Sequence, residues 1–105
     1  MAKVKIKLIP DPTFSATVSI PIPGDKTGDV TFTFKGRTRD EYREFVDGIT
    51  GRTDLEVVMD IVSGWNLDEP FSSDNVAMLL NAYVAAGRAI IDKYFAELTN
   101  ARLGN

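Results

Sequence analysis

Up to Gly36 the apolar residues of this chain recur at every second position, and beyond it they recur at every third or fourth. A period of two places side chains on alternate faces of a strand, whereas a period near 3.6 gathers them on one side of a helix. The switch divides the 105 residues into a β region of about 1–36 and a helical region of about 37–105. With 44% hydrophobic and 26% charged residues, the length suits one α+β domain that folds alone and buries roughly two-thirds of its unfolded surface.

In the β region, Val4, Ile6 and Leu8 alternate with Lys3, Lys5 and Lys7, which predicts a first strand ended by Pro10-Asp11-Pro12. Phe14 to Ile20 and Val30 to Phe34 alternate in the same way, and the turn-rich PGDKTG between them predicts a hairpin with Ser and Thr on its wet face. The expectation is a small antiparallel sheet of about three strands.

Two capping boxes open the helical region. Thr38 with Glu41, and Thr53 with Glu56, have the spacing at which a hydroxyl and a carboxylate each satisfy a free helical N–H. Tyr42, Phe45, Val46 and Ile49 follow the first box at helical spacing, and Gly51 is placed to stop that helix in a left-handed conformation. The second helix is expected to run to about Val62 and end at Gly64. Its β-branched Val57, Val58, Ile61 and Val62 would also suit a strand. From Asp74 a stripe of Val76, Leu79, Leu80, Tyr83, Val84, Ile90, Ile91, Tyr94 and Leu98 continues toward the C-terminus, with a kink or short break expected near Gly87. Three to four helices result.

The residue inventory narrows the chemistry. The absence of cysteine removes disulfides and thiolate metal sites, and the absence of histidine removes the commonest general base and metal ligand together. A net charge of −3 supplies no field for nucleic acid or an anionic membrane. No apolar run approaches the ~20 residues of a membrane span, so a soluble, intracellular protein is expected. Asp25-Lys26-Thr27-Gly28 matches the core of the aspartyl-phosphate signature of ion-pumping ATPases, but Asp29 stands where that signature continues with Thr. It also lies in a hairpin turn and not at the end of a buried parallel strand. Lys26 lacks the glycines of a phosphate-binding loop. No catalytic, cofactor-binding or metal-binding residue is assigned.

The stretch SGWNLDEPFS, Ser63 to Ser72, holds the only tryptophan and an acidic cluster of Asp68 and Glu69, flanked by Asp60 and Asp74. Oxygen ligands of this kind suit calcium or magnesium, yet the spacing is not that of an EF-hand. Carboxylates just ahead of a helix also offset its positive dipole end, with Ser72 or Ser73 as the cap, and this positional account is preferred. Trp65 and Phe71 then have two readings: anchors that tuck the loop into the domain, placed first, or exposed contacts for a protein partner. Lys3, Lys5 and Lys7 read as protection of an edge strand. Tyr83, Tyr94 and Phe95 read as core.

Three segments carry a likeness to a known family: FTFKGRTRDEYREF (Phe32 to Phe45), VVMDIVSGWNLDEPFSSDNVAMLLNAY (Val57 to Tyr83) and AIIDKYFAELTNARLGN (Ala89 to Asn105). Together they resemble the small tail assembly chaperones of long-tailed bacteriophages and prophages, over more than half the chain. The resemblance implies a helix-breaking proline where this chain has Val84. It further implies a non-catalytic protein of the bacterial host cytoplasm, without cofactor. Such a protein binds the long, helical tape-measure protein while tail-tube subunits are recruited, and it is generally absent from the finished particle. Self-association, or contact with coiled-coil segments, is expected through the helical half near Leu98, Arg102 and Leu103. A ribosomal frameshift in related phages extends such chaperones, so Thr99 to Asn105 could continue into a further domain. The rival readings are a structural tail or head-tail component retained in the virion, and a small binding module with another partner.

Overall fold

A computed structural model of the chain describes residues 3–99. Strands β1 (Thr13–Ile22) and β2 (Lys26–Lys35) form a long hairpin, paired antiparallel from Thr13 opposite Lys35 to Ile22 opposite Lys26. Its turn requires two left-handed residues, and Gly24 and Asp25 supply them at φ of 97° and 60°. The alternation read in the sequence sets the two faces. Val18, Ile20, Val30, Phe32 and Phe34 are buried. On the wet face the Thr17 and Thr31 hydroxyls lie 2.8 Å apart, and Ser19 donates to Asp29 at 2.9 Å.

Both capping boxes form as expected. Helix α1 (Arg39–Asp47) begins at Thr38 and helix α2 (Asp54–Ile61) at Thr53, each cap exchanging hydrogen bonds with the glutamate three residues on. The Thr38 and Thr53 backbone N–H groups hold the Glu41 and Glu56 carboxyls below their ordinary range. Helix α1 stops earlier than expected, at Gly48 and not at Gly51. Gly51 does take a positive φ, 84°, in the connecting turn.

The sheet has three strands in the order β1-β2-β3, but the third is not the one the alternation predicts. Strand β3 is Val62–Trp65, paired antiparallel to β2 with Phe32 opposite Trp65 and Phe34 opposite Val62. The β-branched run therefore divides: α2 ends at Ile61, and Val62 is already extended at φ −115° and ψ 139°. Lys3 to Ile9 pairs with no strand and forms an arm on which Val4, Ile6, Leu8 and Ile9 are 83–100% exposed. The prolines account for this. A tight reversal needs positive φ in the loop or a helical residue ahead of it. Pro10 and Pro12 have φ fixed near −65°, and they disfavour helical backbone at Ile9 and Asp11.

Helices α3 (Ser73–Ala82) and α4 (Ala86–Thr99) complete the fold. The break between them spans Tyr83 to Ala85, slightly ahead of the expected position and without a proline. Gly87 lies inside α4, where it is buried against the start of α2. Both layers meet in one core in which Phe32, Phe34, Val58, Ile61, Ile90 and Tyr94 are almost fully excluded from water.

At Gly87 the α4 backbone passes close to the Asp54 side chain at the start of α2. A Cβ there would sit 2.5 Å from Asp54 Oδ2 and 3.1 Å from Asp54 Cβ. Alanine in a helix interior gains about 0.5–1 kcal/mol over glycine, whereas overpacking costs about 1–3 kcal/mol. Gly87→Ala is therefore expected to destabilise by about 1 kcal/mol, lowering Tm by about 4–8 °C. Because Asp54→Gly removes the obstructing atoms, the double variant should lose less than the sum of the singles in a denaturant melt. Strict additivity would show that the contact is not the cause.

Candidate partner-binding groove

An apolar groove of about 420 Å³ opens between the far end of the hairpin, the Trp65 loop and α3. Its floor is Ile20, Ile22 and Val30, one wall is Trp65 and Leu67, and the other is Met78 and Leu79 of α3 with Tyr83 just beyond its end. That volume falls within the range of known ligand and peptide pockets. Met78 is 68% exposed at the rim, and Asp29 and Glu69 add two carboxylates to the lining.

Local hydrogen bonds order the Trp65 wall. Trp65 Nε1 donates to the Glu69 carbonyl at 2.8 Å, folding the loop back over the ring. The ring packs edge-on against Phe71 at 5.4 Å and tilts against Phe32 at 6.4 Å. Asn66 extends the β2 pairing by one residue, its N–H donating to Thr31 O and its Oδ1 accepting from Thr31 N. Asn75 Nδ2 donates to the Pro70 carbonyl at 2.7 Å, and Ser72 caps α3 by accepting from Asn75 N.

The predicted site residues separate on this geometry. Trp65 and Phe71 are together, half-buried, and both pack on the core, so they order the loop as the first reading expects. Trp65 in addition lines the groove. Leu98 is half-buried against the core on α4 and is not part of the groove lining, while Arg102 and Leu103 lie outside the described residues. Asp68 and Glu69 stay exposed and Asp74 sits in the first turn of α3, which fits the positional account. Asp60 does not belong with them. Among the described residues no group of three or more acidic side chains converges as a metal site would need, and no helix is long and apolar enough to cross a membrane.

Asp60 belongs to a cluster for which the sequence offers no local signal. Arg37 Nη2 donates to Asp60 Oδ1 and Arg52 Nη1 to Asp60 Oδ2, each at 3.0 Å. Arg37 also donates to the Tyr94 hydroxyl at 2.7 Å and lies 4.4 Å over the Phe45 ring. The only hint is a carboxylate set beside Ile61 in the second half of α2, where Val57, Val58, Met59 and Ile61 are apolar. Partial burial pushes the Asp60 carboxyl up, but the Arg52 hydrogen bond and the charges of Arg37 and Arg52 outweigh it and hold the pKa below the ordinary value. Burial, only partly offset by Arg37, raises that of Tyr94.

The signs give opposite pH limits. A depressed carboxyl contributes stability above its unfolded pKa of about 3.9 that is lost as pH falls through the folded value. A raised phenol contributes stability below about 10 that is lost as pH rises toward its folded value. Thermal melts should therefore show Asp60→Asn flattening the acid limb below about pH 4, and Tyr94→Phe flattening the alkaline limb above about pH 10. Unchanged limbs would exclude these groups. Trp65→Ala should cost about 3 kcal/mol, the lower end for large aromatic truncations, because the ring is only half-buried. A variant of unchanged stability would make Trp65 a surface contact alone.

No curated protein and no solved structure matches the chain. Its sequence does match one family over residues 1–105, the whole of the chain, and that family is described as phage tail assembly chaperone. The preordered loop and the open apolar groove suit a protein whose work is to hold other proteins. On the full-length match, the chain belongs to the phage tail assembly chaperone family.

Proposed function

We propose that the chain acts in the cytoplasm of the bacterial host by binding the tape-measure protein and recruiting tail-tube subunits around it. An amphipathic helical segment of the tape-measure protein lies in the groove, its apolar face against Trp65, Leu67, Met78 and Tyr83. The observation that carries this reading is the groove itself, apolar, preordered and open beside side chains that make no use of their exposure. Met78 is 68% and Val84 97% exposed, and Val84 directly follows the Tyr83 wall. Helix-in-groove recognition uses anchors at i, i+3, i+4 and i+7 on the incoming helix and needs a hydrophobic channel of this kind. Leu98 of α4 supplies a second contact, as do Arg102 and Leu103, which lie outside the described residues. No catalytic step and no cofactor enters this role.

The test is a titration of helical peptides spanning the tape-measure protein encoded with this chain. One or more should bind, and Met78→Asp and Val84→Asp should each weaken binding at least tenfold, equivalent to about 1.4 kcal/mol. Their melting temperatures should stay near wild type, since neither residue is in the core. Mass spectrometry of purified particles should find the chain absent, and its retention at structural stoichiometry would favour a virion component instead. Binding that is insensitive to both substitutions would move the client site away from the groove.

A further inference from the structure

The Lys3 to Ile9 arm and the outer edge of β1 are complementary, and we infer that the arm of one copy adds as a fourth strand to the β1 edge of a second copy, reciprocally. This does not rest on the groove or on the client. Its first support is the open edge. Thr31 turns both its N–H and its carbonyl toward Asn66, away from β1. Antiparallel pairing alternates, so Val30 and Phe32 bond across to their partners Val18 and Ala16. The neighbouring Ser15, Thr17 and Ser19 then present their backbone N–H and carbonyl groups on the side of β1 that has no strand neighbour among the described residues. An edge of this length with no covering strand is a template for another chain.

The second support is the match in pattern. With Lys7 opposite Ser15, Lys5 opposite Thr17 and Lys3 opposite Ser19, the lysines extend the hydroxyl-bearing wet face. Leu8, Ile6 and Val4 then fall beside Phe14, Ala16 and Val18 on the core face. Phe14 and Ala16 are only partly buried, so the added side chains would complete their cover, while the arm leaves its own apolar groups 83–100% exposed. Charge agrees as well: Ser19 donates to Asp29 at 2.9 Å, which brings a carboxylate beside the position of Lys3.

The third support selects the occupant. The arm precedes β1 in the chain, so its own β1 is the nearest acceptor, but that pairing needs a reversal through Pro10-Asp11-Pro12. Neither proline can take the positive φ such a loop requires, and each disfavours helical backbone at the residue before it. A short connector strained against reversal favours exchange of the element between copies over pairing within one.

Cysteine trapping decides the matter, since the chain has no cysteine of its own. In this register Ile6 and Ala16 form a non-hydrogen-bonded pair with Cα atoms about 4.5 Å apart, within the disulfide range of about 4.4–6.8 Å. Ile6→Cys mixed with Ala16→Cys should oxidise to a covalent heterodimer. Lys5→Cys, which faces the opposite side, should give little product with Ala16→Cys. In sedimentation equilibrium the wild type should dimerise, and Ile6→Asp should raise the dissociation constant tenfold or more, with a melting temperature that no longer rises with protein concentration as the wild type's does. A wild type that stays monomeric, a dimer insensitive to Ile6→Asp, or a doubly substituted chain that closes its disulfide within one molecule would each overturn the inference.

Discussion

The Tyr94 hydroxyl holds the two layers of this protein together. It donates to the Lys35 carbonyl and accepts from Arg37, each at 2.7 Å, in a core where its ring meets Phe14, Phe34 and Phe45. A buried phenol with neither partner would carry an uncompensated desolvation cost of about 1–3 kcal/mol. Because the carbonyl and the guanidinium come from the end of β2 and the residues just after it, satisfying that one oxygen fixes where the sheet ends against α4. Arg37 passes the constraint on to Asp60 of α2 and, through Asp60, to Arg52. One fully buried aromatic thus sets the place of three helices around the end of the hairpin.

Elements whose signal is local are legible in the sequence. The two capping boxes announce their helices because donor and acceptor lie three residues apart. The hairpin is readable because Gly24 and Asp25 can take left-handed backbone where the alternation changes direction. The loop at Trp65 is readable as a shaped connector, since an indole flanked by carboxylates ahead of a serine cap can be buried only in part. Family membership could also be read there, because the same stretch carries the likeness.

What escaped depends on distant partners. Alternation along Lys3 to Ile9 states that a strand would have two faces, but not that an edge lies within reach, and the prolines withhold it. Val57 to Val62 follows a cap that favours helix although its β-branched residues also suit a strand, and the change at Val62 comes with the edge that β2 offers. The Arg37–Asp60 pair spans 23 positions, too far for any periodicity to reveal. Only part of the groove could have been foreseen, because its floor and walls come from four separate stretches of chain.

The handover from α2 to β3 at Ile61 and Val62 involves no intervening turn. Asp60 is clamped by two arginines on one side of this joint, and Trp65 lines the groove on the other, with four residues between them. Within those four the register against β2 shifts: Phe34 faces Val62 and Thr33 faces Gly64, which leaves Ser63 as an extra residue. An extra residue of this kind bends a strand and increases its local twist, so the direction in which the indole leaves the sheet is set inside β3 itself.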